Sequence, residues 1–304
     1  MSWQARLLNR FLRLTERPAL ERADDHIRLR RSFERKSRFY FHAPFGTRSE
    51  TTLLGDHQTL RVHHKGARTD RVILYFHGGG YVFGAPRTHA AMLARLARAS
   101  GAIALLPRYP LAPEATFPSA PDAAYEIWMA LLDSGVDPDT VAIGGDSAGG
   151  GLALALLGQL CAENAPRPAC VFGFSPLTDL TCSGQSVVTN ADKEVILPPA
   201  RVREMMTAVL DGADGDDPRA SPLFAGFAGA PPIWLCVGDT EILLDDTLRM
   251  AERLRAQGAP VDMIVEEDLP HVWPIFHNIL PEANRTLDDL AKWLNQCWLR
   301  PVES

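Results

Sequence analysis

Residues 145–149 read Gly-Asp-Ser-Ala-Gly, a pattern in which the central serine, Ser147, can act as a nucleophile. An apolar run at residues 141–143 precedes the pattern and a helix-like stretch of small residues follows it, which predicts a sharp strand-to-helix turn. Small residues two positions to either side of the serine let such a turn close, and a helix N-terminus favours negative charge that develops beside it. The pattern therefore predicts a nucleophilic serine, against the alternative of an ordinary glycine-rich turn.

Residues 77–80 read His-Gly-Gly-Gly and follow the apolar run at residues 72–76. Glycines leave backbone N–H groups unshielded, so several can point at one oxygen atom, and each such donor stabilises a transition state by roughly 2.7–4 kcal/mol. A phosphate-binding loop is the alternative, but the sequence has neither G-x-G-x-x-G nor G-x-x-x-x-G-K-[ST]. We interpret His77 as a structural hydrogen-bonding residue rather than a base.

A nucleophilic serine needs a general base, and His271 is the best-placed histidine. It follows the last apolar run, residues 261–265, and in a triad whose members follow in the order serine, acid, histidine, the histidine comes last. His277 lies later still and is the alternative. Six other histidines precede Ser147 and break that order: His26, His42, His57, His63, His64 and His89.

The acid of such a triad should follow the apolar run at residues 233–237, where four carboxylates cluster: Asp239, Glu241, Asp245 and Asp246. Either type of carboxylate can orient an imidazole and stabilise its charged form. Local chemistry does not decide between Asp239 and Glu241, and either could instead be a solvated loop charge or a helix cap. Asp245 has the position of a first-turn residue in the next helix.

The elements that must position these residues alternate between strands and helices. Short apolar runs at residues 72–76, 102–106, 141–143, 169–174, 233–237 and 261–265 alternate with helical stretches at residues 88–99, 121–132, 148–161 and 245–257. Buried strands that alternate with helices predict an α/β fold with a mostly parallel sheet covered on both faces. A hairpin is predicted over residues 53–62 and a closing amphipathic helix over residues 282–299.

The spacing between strands is interrupted once, between residues 174 and 233. This segment includes a helix-like stretch at residues 199–210 and is too long for a plain crossover, which indicates an insertion over the site. Residues 1 to about 40 are rich in arginine and helical in pattern.

Composition excludes several classes of protein. The chain has 304 residues, 46% apolar and 22% charged, as expected for a folded protein of one or two domains. A net charge of −6 without a basic block argues against nucleic acid as a partner. Five cysteines without a C-x-x-C pair argue against a disulfide framework and a thiolate metal site. The sequence lacks an apolar run long enough to span a membrane and a signal-peptide core, so we expect a cytoplasmic protein.

Four motifs in order resemble the hormone-sensitive lipase family of α/β-hydrolases, to which many bacterial carboxylesterases belong. They are residues 77–80, the Tyr-Pro-Leu-Ala-Pro-Glu of residues 109–114 with Phe-Pro at 117–118, residues 145–150, and the Ser-Pro-Leu-Thr-Asp of residues 175–179. The resemblance covers residue 70 or so to the C-terminus. It implies an α/β-hydrolase sheet with a helical cap, Ser147 as nucleophile, oxyanion-hole N–H groups from Gly79, Gly80 and Ala148, and neither metal nor cofactor.

The resemblance also bears on the acid, because the family usually carries Asp-Pro-Leu-x-Asp at this point. Residues 241–245, Glu-Ile-Leu-Leu-Asp, fit that frame, whereas a frame that begins at Asp239 fits badly. We therefore predict Glu241 as the acid, in place of the common aspartate, with Asp239 as the alternative.

By the same resemblance, residues 1–40 with an insertion at about residues 184–215 form a cap over a catalytic domain of residues 41–304. Five residues are predicted to line the substrate pocket, although each could equally be ordinary core: Tyr81, Phe83, Val195, Ile196 and Met206.

The implied activity is hydrolysis of a small-molecule ester with a short acyl group, through an acyl-enzyme. An amidase, a deacetylase or an acyltransferase with the same triad is one alternative. A non-catalytic binding protein, like the plant gibberellin receptors that resemble this family but lack the catalytic histidine, is another. The presence of Ser147, Glu241 and His271 argues against it. Relatives in this family are often homodimers, so a homodimer is possible here.

Overall fold

The computed structural model describes residues 1–299, whose strands form one 8-stranded sheet in the order β1-β2-β4-β3-β5-β6-β7-β8. The strands are β1 (Thr47–Leu54), β2 (His57–His64), β3 (Val72–Phe76), β4 (Ile103–Pro107), β5 (Val141–Asp146), β6 (Cys170–Phe174), β7 (Ile233–Gly238) and β8 (Val261–Glu266). Strands β1 and β2 pair antiparallel with each other and β2 with β4, whereas the other neighbours are parallel. The predicted mostly parallel α/β sheet is therefore confirmed.

Helices cover both faces of this sheet. They are α1 (Trp3–Glu21), α2 (His26–Tyr40), α3 (Pro86–Ser100), α4 (Ser119–Asp133), α5 (Ala148–Ala162), α6 (Ser186–Thr189), α7 (Pro199–Leu210), α8 (Leu244–Ala256) and α9 (Pro281–Cys297). Side chains that alternate along each central strand enter two separate cores: one includes residues of α4, α5 and α8, and the other includes residues of α1, α3 and α9. None of the described helices combines the length and the apolar character needed to cross a membrane.

All six apolar runs form strands, and the predicted helix at residues 199–210 is α7. The hairpin is longer than predicted, because β1 and β2 pair from residue 47 to residue 64 around a turn at Gly55. Most of β1, the outer strand of the hairpin, is polar and exposed, so no apolar pattern predicts it. Helices α6 and α7 lie in the long segment between β6 and β7. The predicted domain boundary at residue 304 lies outside the described residues.

Candidate active site

Ser147 occupies a strained turn at the carboxyl end of β5, with φ of 52° and ψ of −124°. Its backbone N–H donates to the carbonyl of Phe174 at 2.9 Å, and its own carbonyl accepts from the N–H of Leu177, also at 2.9 Å. A non-glycine residue in this conformation costs free energy that the surrounding structure must supply. Here the bond to Phe174 of β6 and the bond from the Gly151 N–H of α5 to the Ser147 carbonyl, 3.0 Å long, keep Ser147 in this conformation.

The small residues around Ser147 are required by close backbone approach. A Cβ at Gly145 would lie 2.2 Å from the carbonyl oxygen of Gly149, and a Cβ at Gly149 would lie 2.1 Å from the carbonyl oxygen of Phe76. Neither contact is possible without backbone movement, so the steric reason inferred from the sequence holds at both positions.

His271 and Glu241 form a buried pair. The His271 Nδ1 lies 2.6 Å from Glu241 Oε2, and because a carboxylate only accepts, Nδ1 is the donor. Glu241 Oε1 accepts from the N–H of Gly238 at 2.6 Å and from the hydroxyl of Ser175 at 2.8 Å. The Ser175 hydroxyl in turn accepts from the N–H of Val272, next to the histidine, at 3.2 Å. The carboxylate is thus oriented from three sides.

Sequence reasoning did not assign a role to Ser175, although it lies in the motif at residues 175–179. Its backbone φ is +46°, and its N–H donates to the carbonyl of Cys236 on β7 at 2.7 Å. The side chain reaches Glu241 because this bend directs it across the end of the sheet. The motif at residues 175–179 points to Ser175, but the role of this residue follows only from its contact with Glu241.

Asp239 and His277 lie apart from this pair. The Asp239 carboxylate accepts from the N–H of Asp268 at 2.8 Å, and its carbonyl accepts from the Asn190 amide at 2.9 Å. His277 contacts the carbonyls of Ile275 and His42 at 3.2 and 3.3 Å. The geometry therefore brings Glu241, and not Asp239, to His271.

The pKa of His271 is raised above its ordinary value. Burial alone would lower this pKa, but the nearby carboxylate of Glu241 raises it more, with smaller contributions from Glu194 and Asp146. The structure thus stabilises the positively charged imidazole.

Asp146 joins the nucleophile turn to the glycine loop. Its Oδ1 accepts from the N–H of Gly78 at 3.0 Å and from the hydroxyl of Tyr75 at 2.7 Å, and its Oδ2 lies 3.2 Å from His89 Nε2. Burial would raise the pKa of Asp146, but the interactions with His89 and Tyr75 lower it overall. Sequence reasoning assigned none of these partners, although Asp146 stands inside the serine motif.

His77 has the structural role predicted for it. Its ring stacks on Tyr109 with centroids 4.5 Å apart and contacts the Gly78 carbonyl at 2.9 Å. Burial lowers the pKa of His77 to about 3, so the ring is neutral in the folded protein. It is not a base for Ser147.

Ser147 and His271 both line a cavity of about 800 Å³. Its walls are mostly apolar, and helices α1 and α2 contribute much of them. Within residues 1–299, no hydrogen bond joins the Ser147 hydroxyl to His271; such bonds often tighten only when substrate binds. No group of His, Cys, Asp and Glu suited to a metal ion occurs among the residues described.

Most of the predicted site residues meet at this cavity. The residues Gly79 and Gly80, with φ of 124° and 59°, line it, and Ala148 is the first residue of α5 directly after Ser147. Of the predicted pocket residues, Phe83, Ile196 and Met206 line the cavity.

Tyr81 and Val195 are not among the residues that line this cavity: Tyr81 is buried in one core and Val195 in the other. The ring of Tyr81 packs edge-on against Tyr109, with centroids 6.4 Å apart. Because Tyr81 has a φ of 58°, its backbone turns away from the extended path of β3. Side-chain direction at such a turn is not readable from residue type.

Glu194 is a second buried carboxylate near the pair. Its Oε1 accepts from the N–H of Ile196 at 2.8 Å, and its Oε2 accepts from the N–H of Ile242, next to Glu241, at 3.2 Å. Its carbonyl accepts from Arg17 of α1. Burial raises the pKa of Glu194. The residue ties the segment before α7 both to α1 and to the loop of the acid.

Known proteins include a matching family, related sequences and similar solved structures. A family described as having the alpha/beta hydrolase fold matches residues 73–275. An acetyl-hydrolase of Streptomyces hygroscopicus is 38% identical over 229 residues, which cover 75% of this chain and 77% of that protein. An esterase of Acinetobacter venetianus is 33% identical over 231 residues, 75% of each chain. The crystal structure of an esterase from the bacterial hormone-sensitive lipase family superposes with a TM-score of 0.92 at 34% identity, and the match covers 98% of this chain and 99% of that one.

Proposed function

Because this chain belongs to the hormone-sensitive lipase family of α/β-hydrolases and is a carboxylic ester hydrolase, we propose that it hydrolyses short-chain acyl esters through a triad of Ser147, Glu241 and His271. The observation that carries this proposal is the buried 2.6 Å contact between His271 and Glu241, beside a cavity that Ser147 also lines. A histidine held in this way keeps its other ring nitrogen, Nε2, available as a base.

The reaction has two steps. His271 Nε2 takes the proton of the Ser147 hydroxyl as the Oγ attacks the ester carbonyl, and the resulting imidazolium then protonates the departing alkoxide, which leaves as an alcohol. Water next attacks the acyl-enzyme, with His271 again accepting and returning a proton, and the carboxylic acid leaves. Glu241 orients the imidazole and stabilises its charged form throughout.

The negative oxygen of each tetrahedral intermediate would be bound by the backbone N–H groups of Gly79, Gly80 and Ala148. Support comes from Gly79 and Gly80, which have positive φ angles and line the cavity, and from the position of Ala148 at the first turn of α5. Asp146 fixes the start of the same loop through Gly78.

The cap would consist of residues 1–40 and about 184–215. Helix α1 donates hydrogen bonds from Arg13 to the carbonyl of Lys193, at 2.7 Å, and from Arg17 to that of Glu194. Residues from both segments line the cavity, among them Phe11, Ile196 and Met206. These contacts support a cap that closes the cavity from two directions. The similarity to an acetyl-hydrolase favours short acyl groups.

The test is hydrolysis of p-nitrophenyl esters of increasing acyl length by the wild-type protein and Ser147→Ala. We expect the highest kcat/KM for short acyl chains and its loss in the variant. A maximum with long-chain esters would contradict the short-chain assignment. Labelling of Ser147 by a covalent serine probe without turnover of any ester would favour amide substrates or transfer to another acceptor. The cytoplasmic location and the homodimer stay predictions.

A further inference from the structure

Exposed apolar side chains are concentrated at the beginning of the chain. Of 15 large apolar residues that are exposed within residues 1–299, nine lie in residues 1–45. On α1 these include Trp3 and Leu14, which are 65% and 70% exposed, and Leu7 and Phe11 between them. Single exposed apolar residues need no explanation, but a concentration of this kind marks an interaction surface.

The four residues on α1 form one stripe, because spacings of four, four and three residues return to the same side of a helix. Ala5, Leu8 and Leu12 face the opposite way and are buried in the protein core. The stripe is therefore not the packing face of α1 but a second apolar face that points away from the core.

The end of α2 extends the stripe. The ring of Tyr40 lies edge-on to Phe11 with centroids 6.4 Å apart, and it also contacts Phe39, whose side chain is 80% exposed. We call these six residues the apolar rim: Trp3, Leu7, Phe11, Leu14, Phe39 and Tyr40.

The segment that carries the apolar rim is strongly positive, in contrast to the rest of the chain. Residues 1–40 contain eleven Lys and Arg against five Asp and Glu, a net charge of +6, whereas the whole chain has −6. On α1, Arg6 and Arg10 lie beside the stripe by helical spacing. Seven arginines of this segment are without an ion pair among the described residues: Arg6, Arg10, Arg13, Arg22, Arg31, Arg35 and Arg38.

We propose that the apolar rim and its arginines dock on an anionic lipid surface. Exposed Trp, Phe and Leu beside unpaired arginines match the pattern by which helices lie in the interface of an anionic bilayer. In a dimer formed through the apolar rim, two sets of unpaired arginines would lie close together and repel each other. Nucleic acid would satisfy the arginines but leave leucines such as Leu7 and Leu14 exposed.

Docking would also orient the catalytic cavity. Trp3, Leu7, Phe11 and Tyr40 of the apolar rim line the same cavity as Ser147. A lipid surface against the rim would therefore lie at the cavity's entrance, where apolar esters dissolved in the lipid could enter. The proposal goes beyond the esterase activity and does not depend on it, since binding can be measured without substrate.

The test is co-sedimentation of the protein with vesicles of phosphatidylcholine alone or of phosphatidylcholine and phosphatidylglycerol in equal amounts. We expect binding to the anionic vesicles that weakens with added salt, because salt screens the attraction. Arg6→Gln with Arg10→Gln should weaken binding about fivefold for each arginine. Arg48→Gln with Arg255→Gln, two exposed arginines elsewhere, is the matched control and should bind as the wild type does.

The apolar part is tested by Leu14→Ser with Phe39→Ser, since neither residue lines the cavity. We expect at least about a tenfold loss of vesicle binding with unchanged hydrolysis of a soluble ester. Leu53→Ser with Val188→Ser, which are 62% and 71% exposed in the wild type, is the control. Absence of wild-type binding to anionic vesicles, equal binding to neutral ones, or dimerisation that Leu14→Ser with Phe39→Ser abolishes would each overturn the proposal.

Discussion

The carboxylate of Asp146, the residue before Ser147, accepts a hydrogen bond of 3.0 Å from the backbone N–H of Gly78. The strained turn after β5 and the glycine loop after β3 are thereby connected through one buried side chain. Tyr75 and His89 fix that side chain from two further directions, at 2.7 and 3.2 Å. This relationship has a direct consequence for catalysis if the glycine loop binds the oxyanion.

Asp146→Asn should lower kcat with little change in KM. In the variant Oδ1 can still accept from Gly78 and Tyr75, but an amide nitrogen replaces the acceptor oxygen Oδ2 that faces His89. The side chain loses its negative charge and one of the contacts that fix it and the glycine loop, and oxyanion donors act mainly in the transition state. We expect a loss of about tenfold to a hundredfold in kcat. Steady-state kinetics of this variant beside Asp139→Asn, an exposed control, would decide. A raised KM at unchanged kcat would contradict the assignment.

Glu241→Gln should reduce kcat/KM by about 10³- to 10⁴-fold, because the amide cannot stabilise the imidazolium of His271 in the same way. Asp239→Asn should remain within a few-fold of the wild type, since that carboxylate accepts from Asp268 instead. The comparison requires short-chain ester kinetics on both variants, with the urea midpoint of each measured as a control for folding. An equal loss in both variants would leave the acid unassigned.

On the acidic side, kcat/KM should fall with a midpoint above pH 6.5, the ordinary histidine pKa. The reason is that the pKa of His271 is raised and only the neutral ring is a base. Activity is then lost as pH falls through this raised pKa. Glu194→Gln removes one of the negative charges that raise the pKa and should move the midpoint to lower pH. Its matched control is Glu204→Gln, on the exposed side of α7. A midpoint unmoved in Glu194→Gln would indicate that Glu194 is neutral near that pH.

Asp246→Asn should change how stability depends on pH. Burial raises the pKa of Asp246 to about 7 from an ordinary 3.8, and its Oδ1 has no hydrogen-bond partner within residues 1–299. Between those two pH values the folded protein holds a proton that the unfolded chain has lost, so the free energy of unfolding falls as pH rises. The total fall is about 4 kcal/mol, at about 1.4 kcal/mol per pKa unit, and it ends above the folded pKa.

The variant lacks this titration and should show a flatter profile. Urea unfolding of wild type and Asp246→Asn at about pH 5 and about pH 8 measures the difference. Asp245→Asn serves as a neighbouring control. A wild-type slope that survives in Asp246→Asn would assign it to another group.

The order of strands and helices could be predicted from the sequence because buried parallel strands are apolar on both faces and short. The outer part of the hairpin could not, because its exposed residues carry no pattern. Likewise Phe83 and Tyr81, two residues apart on one loop, are both aromatic and both pack against the same core, yet only Phe83 lines the cavity. Residue type predicts burial, whereas direction depends on the backbone of a turn.

Ser147 and the glycines around it can be predicted from residue pattern alone, because a tight strand-to-helix turn requires small residues next to the serine, as the 2.2 Å approach of a Cβ at Gly145 to the Gly149 carbonyl shows. Which carboxylate contacts His271, in contrast, depends on the tertiary fold. Asp239 and Glu241 stand on the same loop with similar chemistry, and the choice depends on groups that arrive from β6 and β8, namely the hydroxyl of Ser175 and the ring of His271. A contact between segments far apart in the chain is set by the packing of the sheet, which no local pattern contains.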